Sequence, residues 1–69
     1  MPNRPGSSEL LKVLQQHGFY AYSQKGSHLK LKSAEGRVVI VPHPKKEIPI
    51  GTVRSIIRQS GLPPSVFGF

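Results

Sequence analysis

The sequence contains no cysteine and no tryptophan, and its only acidic residues are three glutamates. Without cysteine, neither disulfides nor thiolate metal sites can stabilise the fold. No stretch reaches the roughly 18 consecutive apolar residues of a membrane-spanning helix. Residues 1–6 (MPNRPG) lack the apolar region of a secretory signal. The chain is therefore expected in the cytoplasm, with a core of Leu, Ile, Val and Phe side chains.

Positive charge is in large excess. Ten Lys and Arg residues oppose the three glutamates, which gives a formal net charge of +7 at pH 7 and a pI near 10.4. This balance favours a polyanionic partner: nucleic acid, an acidic protein surface or anionic lipid. We expect no membrane partner, because neither predicted helix combines a basic face with exposed large apolar residues. The charge indicates a class of partner but no reaction.

The length of 69 residues allows one domain. Residues 1–6 contain two prolines and a glycine and are predicted to be a disordered lead-in. Residues 7–69 are predicted to form the single domain. A domain of this size buries only about 60% of the surface that its unfolded chain exposes, so its stability should be modest.

Hydrophobic patterning predicts five regular elements. Ser7 or Ser8 is predicted to be the N-cap of a first helix, which ends before Gly18. Alternating segments then predict strands over residues 19–23, 28–32 and 37–41, with turns at 24–27 and 33–36. Residues 42–49 contain three prolines and are predicted to be irregular. A second helix is predicted from residue 51 or 52 to residue 60, followed by a tail that packs back on the core.

This order of elements, α-β-β-β-α, predicts an α+β fold. The simplest packing puts both helices on the apolar face of a three-stranded antiparallel sheet and leaves the other face to solvent. Double-stranded RNA-binding domains have this architecture. In the second strand, strict alternation places His28, Lys30 and Lys32 together on the solvent face.

Three segments together resemble the HicA toxin family. They are a glycine-serine-histidine turn that enters the second strand, a basic loop with proline and histidine, and a helix that opens with glycine-threonine and closes with glycine. In this chain they are residues 26–31 (GSHLKL), 41–48 (VPHPKKEI) and 51–61 (GTVRSIIRQSG). The resemblance covers roughly residues 7–67.

The resemblance implies a metal-independent endoribonuclease that cuts mRNA, stops translation and needs no cofactor. It also implies that a HicB antitoxin, encoded beside the toxin, holds it inactive. The essential histidine of the family falls on His28 of this sequence. The rival interpretations are a non-catalytic RNA-binding module of the same fold and an adaptor that docks an acidic protein.

The chemistry of RNA cleavage suits a histidine in this position. RNA carries its own nucleophile, the 2′-hydroxyl, and imidazole titrates near ~6.5, so His28 is predicted to act as general base or acid. Nearby cations can hold the phosphate and offset its developing charge. The predicted RNA-binding residues are Lys25, Ser27, Lys30, Lys32, Lys45 and Lys46. No metal site is predicted, because the histidines are scattered and no carboxylates cluster with them.

Several roles stay open in the sequence. His43 is either a second proton-transfer group or an RNA contact, whereas His17, just before Gly18, is interpreted as structural. Tyr20 and Tyr22 are expected on one strand face, where they either stack bases or pack on neighbouring strands. The antitoxin is expected to cover the His28 face, and the outward face of the second helix, with Arg54 and Arg58, is the alternative docking surface.

Overall fold

The structure is a computed structural model, and it describes residues 5–68. The elements are α1 (Ser7–Gln16), β1 (Phe19–Lys25), β2 (His28–Ser33), β3 (Val38–Pro42), α2 (Ile50–Ser60) and a short 3₁₀ helix (Pro64–Phe67). The three strands form one antiparallel sheet in the order β1-β2-β3. The predicted α+β fold with two helices and a three-stranded antiparallel sheet is confirmed. No helix within these residues is long and apolar enough to cross a membrane.

One hydrophobic core lies between the helices and one face of the sheet. Successive strand residues point to opposite faces, so β2 and β3 contribute alternate side chains to this core. Strand β1 contributes only Phe19. Phe67 of the 3₁₀ helix is buried in it, as expected for a tail that packs back. The buried apolar residues are Leu10, Leu11, Leu14, Phe19, Leu31, Val39, Val41, Ile48, Val53, Ile56 and Phe67.

The start of α1 differs from the prediction. Gly6, and not Ser7 or Ser8, is the N-cap, and its backbone N–H donates to the Glu9 carboxylate at 3.1 Å. Pro5 and Gly6, which were predicted to belong to the disordered lead-in, are buried. The rest of the predicted lead-in, residues 1–4, lies outside the described residues. A Cβ atom on residue 6 would lie 2.6 Å from the Lys46 carbonyl oxygen, so only glycine fits here.

Strand β1 is longer than predicted and contains a β-bulge. Its register against β2 shifts between Ala21 and Ser23, so Tyr22 is the extra residue. The turn therefore shrinks to two residues, and the prediction that Lys25 lies in a turn is wrong: Lys25 is in the strand, directly opposite His28. Tyr20 and Tyr22 are predicted on one face because side chains alternate along a strand, and the bulge interrupts this alternation.

Helix α2 begins at Ile50, slightly earlier than predicted, and ends at Gly61 in the left-handed conformation. Val53 and Ile56 are buried against the sheet, while Ile57 is only half-buried. Arg54 and Arg58 are exposed, as predicted. The helix thus has one face in the core and a second, partly apolar face beside it.

Candidate active site

The solvent face of the sheet carries the three predicted residues of β2. His28 and Lys32 are exposed and Lys30 is half-buried, whereas Leu31, which points the other way, is fully buried. Because residues two apart on a strand project from the same side, the fold holds this imidazole and the two ammonium groups in one column. Main-chain hydrogen bonds to strands on both sides fix the column in place.

Neighbouring strands flank this column with different chemistry. On the β1 side, Lys25 pairs with His28, Ser23 with Lys30, and Tyr20 with Lys32. Directly opposite residues of antiparallel strands have Cα atoms about 4.5–5.5 Å apart, so the Lys25 side chain starts beside His28. The β3 partners are the apolar Pro42, Ile40 and Val38. The face therefore offers cations for phosphates and, at Tyr20, Ile40 and Val38, exposed carbon surface for bases.

The turn before His28 is held from two sides. It consists of Gly26, whose φ is 59°, and Ser27. The Ser27 carbonyl accepts a hydrogen bond from the His43 backbone N–H at 2.8 Å. The Gln24 side-chain amide donates to the carbonyls of Gly26 (3.4 Å) and His43 (3.1 Å). No local pattern indicated this role of Gln24, because its position on the sheet depends on the bulge in β1.

His43 has a different environment from His28. It is half-buried, and its Nδ1 shares a 2.8 Å hydrogen bond with the hydroxyl of Ser7, which is 1% exposed. The same hydroxyl accepts from the Lys45 backbone N–H at 3.0 Å, and the Ser7 N–H donates to the Lys45 carbonyl at 2.8 Å. These contacts fasten the basic loop to the start of α1. They indicate a structural part for His43, whether or not it also transfers protons.

Lys45 and Lys46 lie apart from the other predicted RNA-binding residues. Together with the first turn of α1 they line a separate concavity of about 360 Å³, which also contains the Glu9 carboxylate. Both lysines are exposed. The structure thus brings Lys25, Ser27, Lys30 and Lys32 together around His28, and it places the two loop lysines on another part of the surface.

The third histidine and the carboxylates do not add to this site. His17 ends α1, where its Nδ1–H donates to the Val13 carbonyl at 3.0 Å, which agrees with its structural interpretation. Across residues 5–68, no three histidine, aspartate or glutamate side chains are grouped so that they could hold a metal ion.

Comparison with known families agrees with the motifs in the sequence. Residues 7–62 match the family described as HicA toxin of bacterial toxin–antitoxin. The matched segment contains both α-helices, all three strands, His28 and the basic loop. No curated protein matches the chain. Because the match spans most of the 69 residues, the chain belongs to the HicA toxin family of bacterial toxin–antitoxin systems.

Proposed function

We propose that this toxin is a metal-independent endoribonuclease that cleaves mRNA and so inhibits translation. The observation that carries the proposal is the exposed imidazole of His28, with Lys25 opposite it on β1 and Lys30 next on the same face of β2. An accessible proton-transfer group surrounded by fixed cations is what cleavage of a phosphodiester by its own 2′-hydroxyl requires.

In the proposed reaction, the 2′-oxygen attacks the adjacent phosphorus while His28 accepts the 2′-hydroxyl proton or, in the reverse role, gives a proton to the leaving oxygen. The bond from phosphorus to the 5′-oxygen breaks, which leaves a 2′,3′-cyclic phosphate and a 5′-hydroxyl. Lys25 and Lys30 hold the non-bridging oxygens as negative charge builds on them. The second proton transfer falls to a lysine of the sheet face or to Nε2 of His43, since Nδ1 of His43 is hydrogen-bonded to Ser7.

The RNA lies across the sheet in this proposal, with phosphates along Lys25, Ser27, Lys30 and Lys32. Exposed carbon surface at Tyr20 and Ile40 flanks this line and receives unpaired bases. Lys45 and Lys46 contact a more distant part of the same RNA molecule, since they line a separate concavity. The toxin acts in the cytoplasm, where its mRNA substrates are, and a HicB-type antitoxin neutralises it.

The test expresses the wild-type chain, His28→Ala and the control His17→Ala in bacteria and scores growth and mRNA integrity. We expect only His28→Ala to be harmless, because a positioned acid–base group contributes about 10²- to 10⁴-fold in rate. The melting temperature of His28→Ala should agree closely with that of the wild type, since substitutions of exposed residues usually cost within about 0.5 kcal/mol.

Purified protein provides the second part of the test. Cleavage of an mRNA transcript should continue in EDTA and give 2′,3′-cyclic or 3′-phosphate ends. Full toxicity of a folded His28→Ala protein, or activity that EDTA abolishes and Mg²⁺ restores, would contradict the proposal. RNA binding by the wild type without any cleavage would instead support the non-catalytic RNA-binding module.

A further inference from the structure

A groove of about 680 Å³ runs along α2 on the helical side of the molecule. Its floor follows one stripe of the helix, with Ile50, Val53 and Ile57 spaced at i, i+3 and i+7. Leu62 and Pro64, which follow the helix, form the opposite wall. Ile50 is 42% exposed, and Ile57 and Leu62 are only half-buried, so the groove presents apolar surface to solvent.

Two arginines give this groove a positive charge. Arg54 and Arg58, one helical turn apart, line it, and both are exposed. The Arg37 guanidinium lies against Gly61, another lining residue, and donates to the Gln59 carbonyl at 3.4 Å. No carboxylate lines the groove in the part of the chain that the structure describes. The expectation that neither helix combines basic residues with exposed large apolar ones is therefore wrong for α2.

We propose that this groove receives an acidic amphipathic segment of the antitoxin. The occupant follows from complementarity: apolar side chains of the segment fill the space between Ile50, Ile57 and Leu62, while its carboxylates pair with Arg54 and Arg58. Guanidinium groups suit carboxylates at a protein interface because they bind them in bidentate fashion. The inference depends on the family membership shown above and on the proposed antitoxin, but not on RNA cleavage.

Other occupants fit less well. RNA is disfavoured because, within residues 5–68, no aromatic side chain lines the groove for base stacking, and because α2 packs on the face of the sheet opposite His28. A second copy of this chain would bring another net charge of +7 against the arginines. The groove is therefore a protein-binding surface separate from the cleavage site.

The experiment measures binding of the antitoxin encoded beside the gene to purified toxin variants by calorimetry and by association kinetics. Arg54→Glu is compared with Lys12→Glu, which makes the same charge change on an exposed position of α1. Ile50→Ser is compared with Val38→Ser, which removes an equally exposed apolar side chain from the sheet face (42% and 41% exposed).

We expect Arg54→Glu to weaken binding by about tenfold or more, mainly where salt is low, and Lys12→Glu to have little effect. Ile50→Ser should weaken binding by about fivefold or more, as for an anchor residue. RNA cleavage by the free toxin should be unchanged in Arg54→Glu, Ile50→Ser and Lys12→Glu, none of which lies on the sheet face. A wild type that binds antitoxin but cuts no RNA would contradict the proposed function and leave this inference standing.

Three results would overturn the inference. The first is equal binding of Arg54→Glu and Lys12→Glu together with full binding of Ile50→Ser. The second is a loss of antitoxin binding confined to Val38→Ser, which would place the partner on the sheet face alone. The third is that Arg54→Glu and Ile50→Ser weaken binding of something other than the antitoxin. The alternatives tested are a single-stranded RNA oligonucleotide, anionic phosphatidylserine vesicles and a second copy of the chain, with self-association measured by light scattering.

Discussion

A histidine followed by two lysines occurs twice in this chain, as residues 28–32 (HLKLK) and residues 43–46 (HPKK), and the fold treats the two segments differently. In the first, the two-residue period of a strand puts all three side chains on one solvent-facing column. In the second, prolines exclude regular structure, and the histidine and the backbone of Lys45 are hydrogen-bonded to Ser7. Two segments of similar composition thus differ in role: the first forms the candidate active site, and the second anchors the loop to α1.

A basic segment with a histidine therefore does not identify a reactive site by itself. What distinguishes His28 is a free, rigid strand face with a cation directly opposite it. What distinguishes His43 is a partner for its ring and two backbone hydrogen bonds: its N–H donates to the Ser27 carbonyl, and its carbonyl accepts from the Gln24 amide. The predictions below separate these two roles.

The largest expected difference is between His28→Ala and His43→Ala. We expect His28→Ala to lower kcat about 10²- to 10⁴-fold with an unchanged melting temperature. We expect His43→Ala to keep kcat within about tenfold and to lower the free energy of unfolding by about 1 kcal/mol through the lost bond to Ser7. Single-turnover cleavage and urea unfolding measure the two effects. Equal losses of kcat in both variants would show that the two segments act as one site.

Ser7→Ala tests the anchor alone. It removes a hydroxyl that is 1% exposed and hydrogen-bonded to His43 and Lys45, and it leaves the Lys45 N–H without its acceptor. The expected loss is about 1–3 kcal/mol of unfolding free energy. The neighbouring exposed Ser8→Ala is the matched control and should cost within about 0.5 kcal/mol. Indistinguishable unfolding curves for the two variants would argue against the anchor.

Lysines of the two segments should affect different kinetic parameters. Lys30→Ala removes a cation beside the reacting phosphate and should lower kcat about tenfold, equivalent to about 1.4 kcal/mol. Lys46→Ala removes a contact far from the reaction and should raise KM a few-fold at constant kcat. In both variants, the slope of log K for single-stranded RNA binding against log salt concentration should become shallower by about 0.7 per lost phosphate contact. A fall in kcat for Lys46→Ala would place the loop at the reacting phosphate.

The smallest expected effect is at Gln24, whose amide joins the two segments. Gln24→Glu keeps the size of the side chain but removes the donor to the carbonyls of Gly26 and His43. Because these bonds are exposed, global stability should change by only about 0.5 kcal/mol. Faster hydrogen exchange at the His43 N–H, which donates to Ser27, would be the local sign. Unchanged exchange there would mean that the backbone alone holds the turn.

Much of the fold followed from local pattern. Alternation in residues 28–32 identified β2 and its two faces, and the apolar spacing of the helices identified their core sides. The start of α1 was mispredicted because Ser7 and Ser8 are good N-caps in isolation, whereas the close approach of the Lys46 carbonyl admits only glycine at position 6. Contacts between residues almost 40 positions apart cannot be read from the local sequence.

The sequence by itself determined the family, the order of the elements and the placing of His28, Lys30 and Lys32 on one face, because these depend on motifs and on the period of a strand. The tertiary structure decided what stands beside them. One extra residue at Tyr22 shifts the β1 register, and a one-residue shift exchanges the faces of every residue beyond it. That shift puts Lys25 opposite His28 and sends Gln24 to the turn and loop. The groove beside Arg54 and Arg58 is likewise tertiary, since its far wall comes from the chain beyond α2.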